Sequence, residues 1–206
     1  MSIISLVNQK GGVGKTTLSI NIASYFAKKG HDTLIIDADP QGSVSQWQNI
    51  VNNKTIDVIH HPEATLHKHA GKLTKRYRYT IIDAPPALGD ISQSAMLASN
   101  IVIVPVSPSA LDLWSGNETV EMVKAARKYN KKLKAWLLVS KKIVGTKESH
   151  QIRGALKQYK TKVFETEISM RIDYARAITQ GLSVLQYKPK SKAADEIRAL
   201  CGEIAK

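Results

Sequence analysis

The stretch Lys10-Gly11-Gly12-Val13-Gly14-Lys15-Thr16-Thr17, directly behind the apolar run Ile3-Ile4-Ser5-Leu6-Val7, decides how this chain is read. A short apolar run reads as a strand, and the glycines at its end, followed by Lys and Thr, read as a loop that turns into a helix. Gly11, Gly12 and Gly14 let that loop take positive φ and bring backbone N–H groups against a polyphosphate with no Cβ in the way. The helix behind it adds the positive end of its dipole. In such a loop Lys15 reaches the β- and γ-phosphates and the Thr16 hydroxyl binds Mg²⁺. Lys10 is the odd residue, because the head of such a loop ordinarily carries a glycine. A tight strand-to-helix turn without a ligand would not require Gly, Lys and Thr together at this spacing.

Working outward, apolar runs alternate with helical patterns in the order of a doubly wound, mostly parallel α/β sheet flanked by helices, the architecture of a P-loop NTPase. Strands are expected near 2–8, 33–37, 56–59, 79–83, 100–105 and 134–140, with a weaker one near 163–168. Helices are expected near 15–29, 42–52, 65–76, 91–98, 109–129, 146–159, 171–180 and 191–205. The 206 residues suit one α/β domain and leave little room for a second. In such a sheet the ligand lies beyond the carboxyl ends of the strands. There the chain places Asp37-Ala38-Asp39-Pro40-Gln41-Gly42 after one strand and Asp83-Ala84-Pro85-Pro86 after another. Carboxylates converging on phosphates need a cation between them. Asp83 suits the role of holding Mg²⁺, Asp39 that of a further metal-side carboxylate that positions water, and Asp37 that of outer-shell support. Any one strand-end Asp can instead be a turn or helix cap.

Charge divides the chain. Residues 1–120 carry 10 basic against 9 acidic side chains, whereas residues 121–206 carry 20 against 8, and together they make the net charge of +13. A basic surface of this kind suits a polyanion, since each neutralised phosphate releases counterions whatever the base sequence. The apolar run at Ile3–Val7 is too short for a secretory or membrane-spanning segment, so a cytoplasmic protein is expected. The single cysteine, Cys201, excludes an intrachain disulfide and cannot by itself supply an iron–sulfur cluster.

On the motifs Lys10 to Thr17, Ile36-Asp37-Ala38-Asp39-Pro40-Gln41-Gly42 and Ile81-Ile82-Asp83-Ala84-Pro85-Pro86, the chain resembles the ParA-type partition ATPases with a deviant Walker A loop. Within them it is similar to the small plasmid-type members that lack an N-terminal DNA-binding domain. The segment Tyr187-Lys188-Pro189-Lys190-Ser191-Lys192-Ala193-Ala194 resembles a further family feature. The resemblance implies an ATPase using ATP and Mg²⁺, slow without a partner. In it Lys10 crosses a nucleotide-sandwich homodimer to phosphate bound by the other subunit, and Lys15 and Asp39 join it in catalysis. Thr16, Asp39 and Asp83 serve the metal, Thr17 the α-phosphate, and the adenine lies near 140–146 and 188–190, with Pro189 against it. It also implies non-specific DNA binding, with Arg153, Lys157, Arg171, Arg176, Lys188, Lys190 and Lys192 as candidates, a nucleoid-associated location, and a cargo adaptor of ParB-like or ribbon-helix-helix type. The cargo, most simply a plasmid, is not written in these motifs.

Two other readings stand beside this one. A helix over 191–205 carries Ala194, Ile197, Leu200, Cys201 and Ile204 at helical spacing, which suits membrane attachment of MinD type. Asp195, Glu196 and Glu203 oppose anionic lipid, so core packing and no stable membrane association are expected. An ATP-dependent ligase similar to dethiobiotin synthetase would share the loop, but the basic C-terminal part and the Asp-Pro-Gln segment speak against it. His60, His61, His67 and His69 match no metal-site spacing and are assigned to a turn and a helix.

Overall fold

The computed structural model describes residues 1–51 and 55–206. Strands and helices alternate along it as β1 (Ser2–Leu6), α1 (Lys15–Lys28), β2 (Thr33–Asp37), α2 (Ser43–Ile50), β3 (Asp57–His60), α3 (Leu66–Thr74), β4 (Tyr79–Asp83), α4 (Asp90–Ala98), β5 (Ile101–Val106), α5 (Ala110–Ala126), β6 (Lys134–Val139), α6 (Lys147–Leu156), β7 (Lys162–Val163), α7 (Ile172–Thr179), α8 (Val184–Tyr187) and α9 (Lys192–Ile204). The strands form one sheet in the order β3-β2-β4-β1-β5-β6-β7, with every pairing parallel. A parallel sheet needs a crossover between neighbours, which is why helices intervene and cover both faces.

Burial on both faces explains why the central strands read as unbroken apolar runs. Ile4, Leu6, Ile35 and Ile81 point to the side of α1 and α9, where Leu18, Ile22, Ile197 and Leu200 meet them. Their alternates Ile3, Val7, Leu34, Ile36 and Ile82 join Ala95, Met96, Val120 and Val123 of α4 and α5 on the other side. Burying each of these larger side chains is worth about 1.5–3 kcal/mol. The apolar residues of α9, Ala194, Ile197, Leu200, Cys201 and Ile204, all face this core.

Register sets the site. β1, β4 and β2 are aligned so that Leu6 pairs with Asp83 and Asp37 pairs with Asp83. Parallel partners point to the same face, so both carboxylates turn toward α1 at one level, beyond which the loops begin.

The structure departs from the sequence expectations at the C-terminal end. The strand expected over 163–168 keeps only Lys162–Val163 in the ladder. Beyond it the Glu203 carboxylate of α9 accepts the N–H groups of Glu165 (2.9 Å) and Thr166 (2.7 Å), and the chain leaves the sheet. It returns only as a bridge between Lys142 and Ser169. The short helix α8 was not expected. It is nucleated by a capping box in which Ser183 and Gln186 satisfy each other's end of the turn. The helix expected over 42–52 ends at Ile50, and position 52 lies outside the described residues. That expected over 146–159 tightens at its end into a 3₁₀ turn, Lys157–Tyr159.

Candidate functional site: a phosphate cradle at the sheet's carboxyl edge

Gly12 (φ 76°) and Gly14 (φ 95°) both take left-handed backbone, and a Cβ built on either would meet nothing within 4 Å. The loop is therefore shaped by its backbone around an open concavity. That concavity, of about 260 Å³, is lined by Gly11, Gly12, Gly14, Lys15, Thr16, Thr17, Asp39, Pro86 and Lys141. Gly14 is also the N-cap of α1, so the first-turn N–H groups of that helix face the same space.

Lys15 is buried at 6% exposure, and its ammonium donates to the carbonyls of Asn8 and Lys10, both at 3.0 Å. Burial lowers its pKa, while Asp83 and Asp39 hold it up. The Thr16 hydroxyl donates to Asp83 Oδ2 at 2.7 Å and Ser19 to Oδ1 at 3.0 Å. Burial pushes Asp83 up to about 7, the two hydroxyls and Lys15 pull it back, and Asp37 adds repulsion. Asp37 is itself buried, with Oδ2 accepting from the N–H and hydroxyl of Ser45 (each 2.9 Å) and Oδ1 without a hydrogen-bond partner among the described residues. Asp39 sits half-buried at the rim, and its Oδ1 accepts the N–H of Gln41 at 2.9 Å, which orients it.

These donors fit Mg²⁺ with a nucleotide polyphosphate. Mg²⁺ takes oxygen ligands, keeps several waters, and is held by one or two protein groups together with phosphates. The protein supplies a hydroxyl and a buried carboxylate of that kind. Their site opens onto a cradle of N–H groups and the Lys15 ammonium.

Lys10 stands at the loop's head. Its side chain, 39% exposed, forms an ion pair with Asp112, which is 6% exposed and also accepts the Ser107 hydroxyl. Asp112 lies in the first turn of α5, where its N–H is capped by Ser109 at 3.1 Å. Asn8 fastens this end of the loop: its Oδ1 accepts the N–H of Lys10 at 3.0 Å and the hydroxyl of Ser115 at 2.6 Å. The sequence reading passed over Ser19, Asn8 and Asp112. Ser19 was discoverable as the residue three positions after Thr16 on one helix face, and Asp112 as the acid in the turn after a strand end. Asn8 shows its role only through contacts made across the sheet.

A second, mostly apolar cavity of about 220 Å³ adjoins the cradle along Gly14 and Thr17. It is lined by Ser140, Lys141, Ile168, Met170, Arg171 and Tyr174 among others, and is placed to take the base of a nucleotide whose phosphates lie in the cradle. Lys141, at a positive φ of 51°, lines both cavities. The β6 end of the expected adenine region is thus brought here. Lys188, Pro189 and Lys190 line neither cavity, and the Pro189 carbonyl is taken by Arg198.

The expected DNA-contact residues separate into two groups. Arg153 is bound to the carbonyls of Phe164 and Glu165 (3.0 and 3.1 Å) and to the Glu165 carboxylate at 2.8 Å. Arg171 donates through Nε (3.0 Å) and Nη2 (2.8 Å) to Glu196, whose other oxygen accepts the Ser169 N–H at 3.1 Å. These two arginines are committed within their own chain, and Arg171 does so as part of the second cavity's wall. Lys157, Arg176, Lys188, Lys190 and Lys192 are exposed, and of these Lys188 alone approaches an acid, Asp173 at 3.8 Å, among the described residues. Among the described residues no helix is long and apolar enough to cross a membrane, and no three His, Cys, Asp or Glu side chains gather as a metal site.

Residues 4–184 match the model of the CobQ/CobB/MinD/ParA nucleotide binding domain. The chain is 30% identical over 98% of its length to Maintenance of carboxysome distribution protein A of Halothiobacillus neapolitanus, covering 95% of that protein. It is likewise 30% identical over 98% of its length to the Chromosome-partitioning ATPase Soj of Thermus thermophilus, covering 94% of it. Its fold superposes on the septum site-determining protein MinD of Pyrococcus horikoshii, solved with Mg-ADP, with a TM-score of 0.79 at 19% identity, covering 100% of this chain and 96% of that one. The chain therefore belongs to the CobQ/CobB/MinD/ParA family of nucleotide-binding ATPases, on the side of its ParA-like positioning ATPases.

Proposed function

We propose that residues 1–206 act as one P-loop domain that hydrolyses ATP with Mg²⁺, dimerises on ATP, binds DNA without sequence preference and positions a cargo through an adaptor protein. The observation that carries the reading is Lys10, a cation at the head of a complete phosphate loop where geometry asks only for a turn. ATP and Mg²⁺ supply the phosphoryl group and the charge that the reaction transfers and neutralises. Thr16 and Asp83 hold the metal side, Lys15 neutralises phosphate charge from the cradle, and Asp39 orients water at the rim. Lys10 leaves Asp112 and meets phosphate bound by a second copy, so that nucleotide binding and dimerisation stabilise each other.

The exposed cations Arg176, Lys190 and Lys192 support DNA binding and a nucleoid-associated location. Burial of the apolar face of α9 speaks against lipid attachment through that helix. Relatives whose names concern carboxysomes and chromosomes are equally similar in sequence, so the choice of cargo, plasmid included, is assigned to the adaptor.

The test is binding to random-sequence duplex DNA with ATP, ADP or no nucleotide across a salt series, for the native protein and Lys10→Ala. Tight, salt-sensitive binding that requires ATP and is lost in the variant supports the reading. Intact ATP-dependent dimerisation and DNA binding in Lys10→Ala would overturn the role of Lys10 in trans.

A further inference from the structure

Away from the nucleotide cradle, the C-terminal end of α1 meets α8 and α9 in a groove of about 230 Å³ lined by Tyr25, Lys28, Lys29, Leu185 and Arg198. Three of these five side chains are cationic. Among the described residues Lys28 reaches only the carbonyl of Leu185, at 3.4 Å, and the Lys29 ammonium lies 5.9 Å from the centre of the Tyr25 ring. Among the described residues neither lysine has a carboxylate within ion-pair distance. Arg198 pairs with the exposed Asp195 at 2.7 Å and donates its other nitrogen to the Pro189 carbonyl. That bond fastens the exposed Lys188–Lys192 loop to the groove's rim, making one basic surface out of segments far apart in sequence.

We infer that this groove, with Lys28, Lys29 and Arg198 at its centre and Lys188, Lys190 and Lys192 along its rim, is where the DNA phosphate backbone docks. The inference rests on the DNA-binding reading above and places the contact on residues which that reading did not include. Charge counting along the chain hides Lys28 and Lys29, because they belong to the nearly neutral first 120 residues. The ordinary role of a lysine in a helix's last turn, meeting the negative end of the dipole, accounts for Lys28. It does not account for the convergence of Lys29 and Arg198 on the same concavity. Arg153 and Arg171 have guanidinium donors occupied by carboxylates and carbonyls of their own chain, and Arg198 is held likewise by Asp195 and the Pro189 carbonyl, so among the described residues the cations of the groove without an acidic partner are Lys28 and Lys29. A duplex offers one charge per ~1.7 Å of axis, so a surface led by Lys28 and Lys29, with Lys190 and Lys192 beside them, meets several phosphates at once. A membrane surface would need apolar anchors beside the cations, and the nearby apolar residues Ile197, Leu200 and Ile204 are buried.

The test compares the full-length native chain, the triple variant Lys28→Gln, Lys29→Gln, Arg198→Gln, and a triple control that removes equal charge elsewhere, at the exposed Lys128, Lys131 and Lys132, each to Gln. Random-sequence duplex DNA and phosphatidylglycerol–phosphatidylcholine vesicles are titrated with ATP present across a salt series. Unchanged ATP hydrolysis without DNA reports that each variant is folded, and Lys28→Arg with Lys29→Arg tests whether charge alone suffices. The expected result is a fall in the logarithmic salt slope of DNA binding by about 0.9 per contact removed in the groove variant, and much less in the control. It includes retention of native binding in the arginine variant. If the native protein binds DNA and the groove variant matches the control, the groove is not the contact and the DNA reading stands. If the native protein binds vesicles and no DNA at low salt, both readings fall.

Discussion

The carboxyl edge of the sheet and the outer groove of α1, α8 and α9 both gather lysines, yet they treat them in opposite ways. At the edge, Lys15 is buried, two carbonyls fix its ammonium, and the carboxylates of Asp83 and Asp39 act on its charge. In the groove, Lys28 and Lys29 are exposed and without acidic partners among the described residues. The first arrangement suits chemistry, because fixed charges in a poorly solvated place act without reorganising when a ligand arrives. The second suits an extended polyanion, whose affinity grows from many exposed contacts and fades with salt. Lys10 stands between the two. It is partly exposed like a groove lysine, yet anchored like an edge lysine, which is the condition of a side chain able to change partners.

The comparison can be broken most severely at the edge. Thr16→Ala removes the hydroxyl between the metal side and Asp83, and ATP hydrolysis should fall about 100-fold or more while stability falls by only about 1–3 kcal/mol, the cost of the lost bond to buried Asp83. A steady-state hydrolysis assay with a melting curve checks this. If hydrolysis persists, the cradle is a structural turn.

Next comes the lysine between regions. Asp112→Asn weakens the hold on Lys10 within its own chain, and the ATP concentration giving half-maximal dimerisation should drop about fivefold, as expected for a partly exposed ion pair of about 1 kcal/mol. Light scattering against ATP concentration reads it. A rise instead would show that Asp112 positions Lys10 for its task.

A smaller effect separates committed from free arginines. Arg171→Gln should cost about 1–3 kcal/mol of stability through the lost Glu196 bonds and leave the DNA salt slope unchanged. Arg176→Gln should leave the melting midpoint unchanged and lower that slope by about 0.9. Denaturant titration and DNA titration on both variants decide it, and reversed outcomes would move the contact surface back to the base-side wall.

The smallest effect concerns Glu203. Burial alone would raise its pKa, but the Thr166 hydroxyl and the N–H groups of Glu165 and Thr166 hold it below its usual value of 4.5. Because the folded value is the lower one, its contribution is present above the unfolded pKa and is lost as pH falls through the folded one. Glu203→Gln should therefore cost about 1 kcal/mol near neutral pH, with the gap to the native chain closing below pH 4.5. Urea titrations at both pH values check this.

The alternation of apolar runs and helical patterns was enough to read the parallel sheet, since strands buried on both faces leave continuous runs of Ile, Leu and Val that turns interrupt. The loop from Lys10 to Thr17 was equally legible, because its chemistry depends on residues adjacent in the chain. Asp37, Asp39 and Asp83 were found by the strand-end rule. Asn8 as a fastener, Asp112 as the resting partner of Lys10, and Glu203 as the group that ends β7 were not legible. Each acts on a residue that only the packing of strands and helices brings near. The same holds for charge. Composition could say that the chain is basic, but whether a given cation is spent on a carboxylate of its own fold, as Arg153 and Arg171 are, or left facing water, as Lys29 is, depends on long-range contacts. Local pattern thus set the elements and the phosphate loop through short-range geometry, and the assembled fold decided which charges remained free to bind.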